Sequence, residues 1–145
     1  PATDAVPLDQ LIEIDRYAMV LDCGTVVNPT IVEGQLHGGM VQGLGPALCE
    51  EVLVDDAGVP LTTTLLDYLI PSSAIVPDMQ VELMEIPSPH TPGGMKGMGE
   101  GGTNGAFSCI ANAVRAALPE HADRLTRTPF TPSRVWDAVH PEGTP

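Results

Sequence analysis

The fold depends above all on a glycine-rich segment, residues 33–52, which reads EGQLHGGMVQGLGPALCEEV. Apolar residues recur there at every fourth position, and this spacing places them along one face of a helix. They are Leu36, Met40, Leu44, Leu48 and Val52. Glycines are also paired four apart, Gly34 with Gly38 and Gly39 with Gly43. Because each glycine inside a helix costs about 1 kcal/mol relative to alanine, we expect another group to approach this backbone closely.

Proline residues are expected to limit this helix at both ends. Asn28-Pro29-Thr30 is typical of a turn before the helix. Pro46 has no N–H to donate to the carbonyl of Gln42, so we expect the helix to kink or restart there, at a cost of roughly 3 kcal/mol.

Alternation of apolar and polar residues predicts strands on either side of the helix. The first runs from Ile12 to Leu21 and is stopped by Asp22-Cys23-Gly24. The second covers Met79 to Ile86, with the side chains of alternate residues on one face. These residues are Met79, Val81, Leu83 and Glu85. Between the two, residues 51–54 and 61–69 flank the turn-rich connector 55–58, which favours a hairpin.

Two more helices are predicted towards the end of the chain. From Asn104 to Pro119 the apolar residues follow helical spacing. Thr131-Pro132 is typical of a helix start with proline in its first position, which predicts a short helix over residues 135–140. The sequence therefore indicates an α+β or α/β class, with a mixed sheet and packed helices.

Composition and charge exclude several kinds of partner. The chain has 6 Lys and Arg against 19 Asp and Glu, a formal net charge of −13. Nucleic acid or an anionic membrane would require a basic stripe, which so few basic residues cannot easily supply. No apolar stretch approaches the roughly 20 residues that cross a bilayer. We therefore expect a soluble, cytoplasmic protein that binds neither nucleic acid nor membrane.

The cysteines indicate neither a disulfide framework nor a metal site. Cys23, Cys49 and Cys109 are odd in number and far apart in apolar sequence, so buried free thiols are the expected state. The chain also lacks the cysteine cluster or dinucleotide motif that an iron–sulfur or flavin centre would need.

The segment most informative for function is residues 95–103, which read MKGMGEGGT. Glycines surround one carboxylate, Glu100, just before a predicted helix. Glycines let the backbone approach a ligand without Cβ atoms in the way, and free N–H groups at a helix start attract negative charge. A fixed carboxylate beside a substrate suits general-base chemistry. A second interpretation fits these residues equally well, namely a glycine-rich turn whose glutamate caps the helix.

Motifs in order along the chain resemble those of the molybdenum hydroxylases, the family of xanthine dehydrogenase, aldehyde oxidase and carbon monoxide dehydrogenase. Lys96-Gly97-Met98-Gly99-Glu100 resembles the Lys-Gly-x-Gly-Glu signature of this family. The other matching blocks are Asp22-Cys23-Gly24 with Asn28-Pro29, Gly34-Gln35-x-His37-Gly38-Gly39, Gln42-Gly43-x-Gly45, Asp67-Tyr68 with Pro71, Pro87-Ser88-Pro89-His90 and Thr131-Pro132-x-Arg134-Val135-Trp136. Gly101-Gly102 departs from the pattern, where bulkier residues or proline are common, and is expected to widen the substrate side.

The resemblance implies roles for the residues of this site. Glu100 is expected to be the catalytic base in a hydroxylation that takes its oxygen from water and passes electrons to the metal. Gln35 is expected to hydrogen-bond the pterin of a molybdopterin. The other residues expected along the cofactor are Gly34, Lys96, Gly97, Met98 and Gly99. No side chain is expected to ligate the metal, because the family holds it through the pterin dithiolene.

The resemblance also implies a larger assembly. Residues 1–145 would form a carboxy-terminal molybdopterin-binding domain, with flexible ends at residues 1–10 and 141–145, in a large subunit several times longer. The upstream part of that subunit would supply most of the cofactor pocket. Molybdopterin with molybdenum would be bound either plain or as the cytosine dinucleotide, while FAD and iron–sulfur (2Fe-2S) centres would lie on partner subunits or domains. The substrate would be an aldehyde, a purine, another N-heterocycle or a related small molecule such as carbon monoxide.

Three interpretations compete with these expectations. His37 and His90 could be read as ligands or proton shuttles, but a lone histidine is more often a packed structural residue. The chain could instead be a structural or degenerate subunit that completes another chain's pocket. Pro1 could act as an amino-terminal base, as in tautomerases. Residues 2–10, however, lack the strand pattern that such an enzyme needs.

Overall fold

The computed structural model describes residues 12–141. The flexible ends predicted at residues 1–10 and 141–145 lie outside this range apart from Pro141, as does the base considered at Pro1. Within it, the elements follow in the order β1 (Arg16–Asp22), α1 (Pro29–Leu48), β2 (Asp78–Met84), α2 (Gly101–Ala117) and α3 (Pro132–Val139), with short 3-10 turns at Pro92–Gly94 and Pro119–His121. The α+β class predicted from the sequence is confirmed.

The two strands form a parallel sheet that places both of their carboxyl ends at one edge. The pairing runs in register from Arg16 opposite Asp78 to Asp22 opposite Met84. In β2 alternate side chains are half-buried, as the two-residue period predicted. β1 begins four residues later than predicted but ends at Asp22, the first residue of the expected break.

Helix α1 begins earlier than its apolar pattern suggests, because Asn28 and Pro29 start the helix and do not form a separate turn. The Asn28 side-chain oxygen accepts the N–H of Ile31 at 3.2 Å, which is the hydrogen bond of a helix N-cap. Pro29 takes the first helical position, where its missing N–H costs nothing. The prediction that residues 28–30 form a separate turn before the helix was therefore wrong.

Of the two outcomes expected at Pro46, a kink or a restart of α1, the restart does not occur. The helix continues to Leu48, so the proline lies in its last turn. Only the hydrogen bond to the carbonyl of Gln42 is lost there. The end is closed by the N–H groups of Cys49 and Glu50, which both donate to the carbonyl of Gly45, at 2.8 and 2.7 Å.

The core lies between α1, α2 and the inner face of the sheet. Leu36, Met40 and Leu44 of α1 are fully buried, as the four-residue spacing predicted. Val52, assigned to the same face, is 67% exposed because the helix has ended before it. The rest of the buried cluster comes from β1, α2, α3 and the segment before α3. Its members include Tyr17, Ala106, Ile110, Val114, Leu125, Phe130, Val135 and Ala138.

The hairpin predicted around residues 55–58 forms only at its turn. Val54 and Pro60 make one isolated antiparallel bridge. A carboxylate oxygen of Asp55 accepts the N–H groups of Ala57 and Val59, at 2.9 and 2.8 Å. The flanking runs do not become strands, so this prediction was wrong beyond the turn. A hairpin needs a further surface to pack on, and the apolar side chains here stay exposed.

The three cysteines are free thiols, as expected, but they differ in burial. Cys23 is buried, Cys49 is intermediate, and Cys109 is exposed on α2, so the expectation of burial was wrong for Cys109. Burial raises the pKa of the Cys49 thiol, and the neighbouring Glu50 carboxylate raises it further. No helix found between residues 12 and 141 is long and apolar enough to span a membrane.

Candidate functional site

The carboxyl end of β1 holds the loop that leads from β2 to α2. Asp22, the last residue of the strand, accepts the N–H of Gly24 at 2.9 Å and the N–H of Ile86 at 3.3 Å. Its second carboxylate oxygen binds the ammonium of Lys96. That ammonium, followed by the Gly24 N–H, holds the pKa of Asp22 below its usual range. Three separate segments therefore meet at one carboxylate.

Backbone hydrogen bonds join the same segments. The N–H of Lys96 donates to the carbonyl of Cys23 at 3.1 Å, and the N–H of Thr25 donates to the carbonyl of Gly94 at 3.1 Å. Gly24 has a φ of +64°, and a Cβ at this position would lie 2.2 Å from the Gly94 oxygen. Only glycine permits both the left-handed backbone and the close approach. The segment 94–96 is therefore fixed against the end of β1.

Glu100 lies at the other end of the loop, directly before α2, with its side chain exposed. It occupies the N-cap position, yet its carboxylate makes no capping hydrogen bond. Its main-chain oxygen accepts the N–H of Thr103 at 2.9 Å. The interpretation of Glu100 as a capping side chain is therefore not what the structure shows. The carboxylate remains available to another group.

Between Lys96 and Glu100 the backbone presents free donors. The N–H groups of Gly97, Met98 and Gly99 donate to no acceptor among residues 12–141. Around Gly97 and Gly99, no heavy atom lies within 4 Å of where a Cβ would stand. The start of α2 adds further N–H groups that have no partner within the helix. Together these groups form a surface of donors that suits an acceptor-rich ligand.

Lys96 differs from the glycines that follow it. Its N–H is used by Cys23 and its ammonium is paired with Asp22. Only the remaining ammonium hydrogens and the main-chain carbonyl are left for a cofactor. Its place in the predicted cofactor-binding set stays a prediction, and its observed role is to fasten the loop.

The first half of α1, at Leu36, lies beside the start of α2, which brings the two predicted motifs together. A Cβ on Gly102 would lie 2.6 Å from the main-chain oxygen of Leu36 and 3.1 Å from its Cα. Gln35 directly precedes Leu36 and has an exposed side chain. Gly34 is exposed as well, with no heavy atom within 4 Å of a Cβ position. The predicted pterin-binding residues and Glu100 therefore lie at the same end of the helix pair.

Gly101 and Gly102 have a packing role that the sequence did not reveal. A Cβ on Gly101 would lie 2.8 Å from Cδ2 of Leu21, and one on Gly102 would overlap α1. These glycines seat α2 against the strand and the neighbouring helix. The expectation that they widen the substrate side stays a prediction.

The two histidines of the matching motifs make no hydrogen bond with Glu100 in residues 12–141. His37 is half-buried on α1 and His90 is exposed in the proline-rich loop. In the part of the chain that the structure describes, neither imidazole makes a hydrogen bond, so the hydrogen bonds expected of packed histidines are not seen. No cluster of three His, Cys, Asp or Glu that could hold a metal ion occurs between residues 12 and 141.

A large cavity of about 700 Å³ lies elsewhere, at the amino ends of the strands. Its lining includes Ile14, Leu48, Asp78 and Phe130. None of the predicted site residues lines it. The candidate site is therefore an open surface, and this cavity is not part of it.

The donor surface fits one face of a pterin cofactor. A pterin and its phosphate present acceptor atoms, which the free N–H groups and the Gln35 amide can bind. The open space around Gly34, Gly97 and Gly99 allows such a ligand to approach the backbone. No anionic side chain other than Glu100 lies within residues 95–103. These residues can hold the cofactor from one side and place a carboxylate beside it.

Comparison with known proteins identifies the family. Residues 7–77 match the family model described as a molybdopterin cofactor-binding domain. The chain is 41% identical over 133 residues to the nicotine 6-hydroxylase large subunit of Paenarthrobacter nicotinovorans, covering 92% of this chain and 16% of that protein. It is 37% identical over 121 residues to the carbon monoxide dehydrogenase large chain of Afipia carboxidovorans, covering 83% of this chain and 15% of that protein.

Solved structures agree with the sequence comparison. Quinoline 2-oxidoreductase from Pseudomonas putida 86 matches 87% of this chain and 16% of its own, with a TM-score of 0.81 and 44% identity. Carbon monoxide dehydrogenase from Oligotropha carboxidovorans matches 92% of this chain and 17% of its own, with a TM-score of 0.85 and 31% identity. The chain therefore belongs to the family of molybdenum-binding large subunits of the xanthine dehydrogenase and carbon monoxide dehydrogenase type. It spans about one sixth of the length of these relatives.

Proposed function

We propose that this chain forms one wall of the molybdopterin site in a cytoplasmic molybdenum hydroxylase, with Glu100 as the catalytic base. The enzyme would hydroxylate an aldehyde, purine, N-heterocycle or related small molecule, with water as the oxygen source. The observation that carries the proposal is the placement of Glu100, whose carboxylate has no hydrogen-bond or ion-pair partner among residues 12–141 and directly follows N–H groups that are unpaired in the same range. A carboxylate used for capping or ion pairing would not be free to accept a proton.

The cofactor would be held by residues from both motifs. Gln35 would donate from its side-chain amide to the pterin, and Gly34 would let the ligand approach α1. The remaining contacts would come from the loop residues Lys96, Gly97, Met98 and Gly99. When bound, the molybdenum cofactor supplies the two-electron oxidation. The pterin would be bound either plain or as the cytosine dinucleotide.

Glu100 would move one proton in this reaction. Conversion of a substrate C–H to C–OH with oxygen from water releases two protons and two electrons. One carboxylate oxygen of Glu100 would accept a proton as the carbon–oxygen bond forms, provided that the donor lies within about 3 Å. The exposed position of the side chain leaves room for a substrate next to it. Residues 94–96, which are fixed against the end of β1, would limit how far the carboxylate moves during the cycle.

The proposal includes a longer large subunit and partner subunits with FAD and iron–sulfur centres. The chain spans about one sixth of its relatives, and these are named as large subunits or as a subunit of a complex. Apolar side chains after α1 are exposed and would be covered by such neighbours. They are Val52, Leu53, Val54, Val59, Leu61, Leu65, Leu66 and Ile70. The rest of the large subunit would supply the other walls of the cofactor pocket.

The substitution Glu100→Gln in the assembled enzyme tests the proposed base. It keeps the size of the side chain and removes the proton acceptor, so turnover should fall by about 10²–10⁴-fold with little change in KM or molybdenum content. Glu82→Gln, on the exposed face of β2, is a matched control and should leave turnover unchanged. Normal turnover by a fully loaded Glu100→Gln enzyme would instead indicate a structural subunit that completes another chain's pocket.

A further inference from the structure

We infer that Asp22 is a positioning residue for Glu100, because it holds Lys96 and so fixes the near end of the loop that carries the carboxylate. The inference rests on the proposed role of Glu100. It assigns a function to a residue that touches neither Glu100 nor the donor surface. Asp22 would act through Lys96 and through the backbone around it.

The loop is supported at both ends by neighbouring residues of one strand. At its near end Lys96 is bound by Asp22 through the ion pair and by Cys23 through the main chain. At its far end Gly101 lies against the side chain of Leu21. Successive side chains of a strand point to opposite faces, so Leu21 and Asp22 can serve the two ends of the loop separately. Residues 97–100 are suspended between these two supports.

Residues 97–100 have little else to hold them. Gly97 and Gly99 lack side chains, and their N–H groups find no acceptor in the described part of the chain. Glycine also has the largest backbone freedom of any residue. The position of Glu100 therefore depends on how firmly the two ends are held. If Lys96 moved, residues 97–99 would move with it and displace the carboxylate of Glu100.

Asp22 is itself held firmly, which makes it suitable for this role. One of its oxygens accepts hydrogen bonds from the N–H groups of Gly24 and Ile86. The carboxylate is therefore held in place independently of Lys96. The side chains of Lys96 and Asp22 are 34% and 28% exposed, so the ion pair is only partly screened by water. A fixed acceptor that binds a flexible lysine orders the lysine and its backbone.

The experiment compares Asp22→Asn with Asp78→Asn in the assembled enzyme. Asp22 is the last residue of β1, whereas Asp78 is the first residue of β2, lies at the opposite end of the sheet and makes no side-chain hydrogen bond with residues 12–141. Hydrogen exchange followed by mass spectrometry reports on the amides of Thr25 and Lys96, whose hydrogen bonds join the loop to the strand. We expect Asp22→Asn to raise their exchange rates by about twofold to fivefold, as for loss of a partly exposed ion pair.

Turnover per bound molybdenum is the second readout. We expect Asp22→Asn to lower kcat on the order of tenfold with little change in KM, because a misplacement of only about 1 Å can cost as much as a hundredfold. Lys96→Arg keeps the charge that pairs with Asp22, so it should lower kcat less than Lys96→Met does. Lys96→Met should match Asp22→Asn, and the double variant should be no worse than either single one. The Lys96 variants leave the backbone contacts of Asp22 intact, so they test the inference even if Asp22→Asn fails to assemble.

The outcomes separate this inference from the proposed function. Unchanged exchange at Thr25 and Lys96, or equal turnover of Lys96→Arg and Lys96→Met, overturns the positioning role. A loss of molybdenum content with normal turnover per bound metal overturns it as well, because it indicates a purely structural contact. If Asp22→Asn exchanges faster but Glu100→Gln has normal turnover, Asp22 still supports the loop, and it is the proposed role of Glu100 as the base that fails.

Discussion

Gly39 of α1 and Gly102 of α2 face each other so closely that neither position has room for a side chain. A Cβ on Gly39 would lie 2.7 Å from the nitrogen of Thr103 and 2.8 Å from Cα of Gly102. A Cβ on Gly102 would lie 3.1 Å from Cα of Gly39. Because the neighbouring atoms are backbone, they cannot rotate away. This contact sets the distance between the two helices that carry Gln35 and Glu100.

The first prediction compares adjacent glycines of α1. Gly39→Ala should lower the free energy of unfolding by about 1–3 kcal/mol, because the added methyl group forces the helices apart. Gly38→Ala should raise it by about 0.5–1 kcal/mol, since no heavy atom lies within 4 Å of its Cβ position and alanine favours the helix. Urea unfolding of the two variants measures both effects. Equal destabilisation by both substitutions would contradict the close contact.

Sequence reasoning found this helix but not the partner of its glycines. The four-residue spacing predicted the buried face of Leu36, Met40 and Leu44, and the paired glycines predicted a close approach. Spacing alone cannot distinguish Gly39, which contacts α2, from Gly38, whose Cβ position has no neighbour within 4 Å in the described part of the chain. That difference depends on which side of α1 meets α2, and this is decided by tertiary packing.

The sequence predicted some residues of the candidate site but not others, for a similar reason. The segment 95–103 singled out Glu100 because glycines around one carboxylate are a local pattern. Asp22 was interpreted as the end of a strand and as part of a matching motif, but not as a partner of Lys96, which lies 74 positions away. The predicted hairpin failed because local β propensity gives no information about whether a surface exists for the strands to pack on. Contacts between distant segments were therefore what the sequence could not supply.

The second prediction concerns two arginines that bind the same carboxylate oxygen of Glu51. Arg134 of α3 is 26% exposed and also donates to the carbonyl of Pro129 at 3.0 Å, whereas Arg127 is 73% exposed. Arg134→Ala should lower the free energy of unfolding by about 1–3 kcal/mol, because it removes two charge-assisted hydrogen bonds. Arg127→Ala should change it by about 0.5 kcal/mol or less. Thermal unfolding of both variants gives the comparison, and a larger effect at Arg127 would refute it.

The third prediction concerns pH and Asp22. Its pKa is lowered first by the Lys96 ammonium and then by the Gly24 N–H. A carboxyl whose pKa is lower in the folded chain stabilises the fold fully above its unfolded pKa of about 3.9, and this contribution is lost as the pH falls below that value. The difference in free energy of unfolding between wild type and Asp22→Asn should therefore be constant above about pH 5 and shrink below about pH 4.

Urea unfolding across this pH range measures the difference directly. Comparison of variants cancels the effects of the other carboxylates, which are the same in both proteins. Asp78→Asn is the control, since its carboxylate makes no hydrogen bond within the described residues. If the difference between wild type and Asp22→Asn persists unchanged to about pH 3, the carboxylate is not what holds the loop.

The last prediction tests Gln35, which would act on the cofactor and not on the proton. Gln35 and Gln42 are both exposed on α1. They are separated by seven residues, or about two helical turns, so their side chains leave nearly the same face. Only Gln35 lies next to the contact with Gly102.

In the assembled enzyme Gln35→Ala should weaken molybdopterin retention by about twofold to tenfold, the usual effect of one lost hydrogen bond. Molybdenum and pterin content after dialysis measures retention, and turnover per bound metal should stay within a few-fold of wild type. Gln42→Ala should retain the cofactor fully. If both variants retain the cofactor equally, Gln35 does not bind the pterin, and this part of α1 only packs against α2.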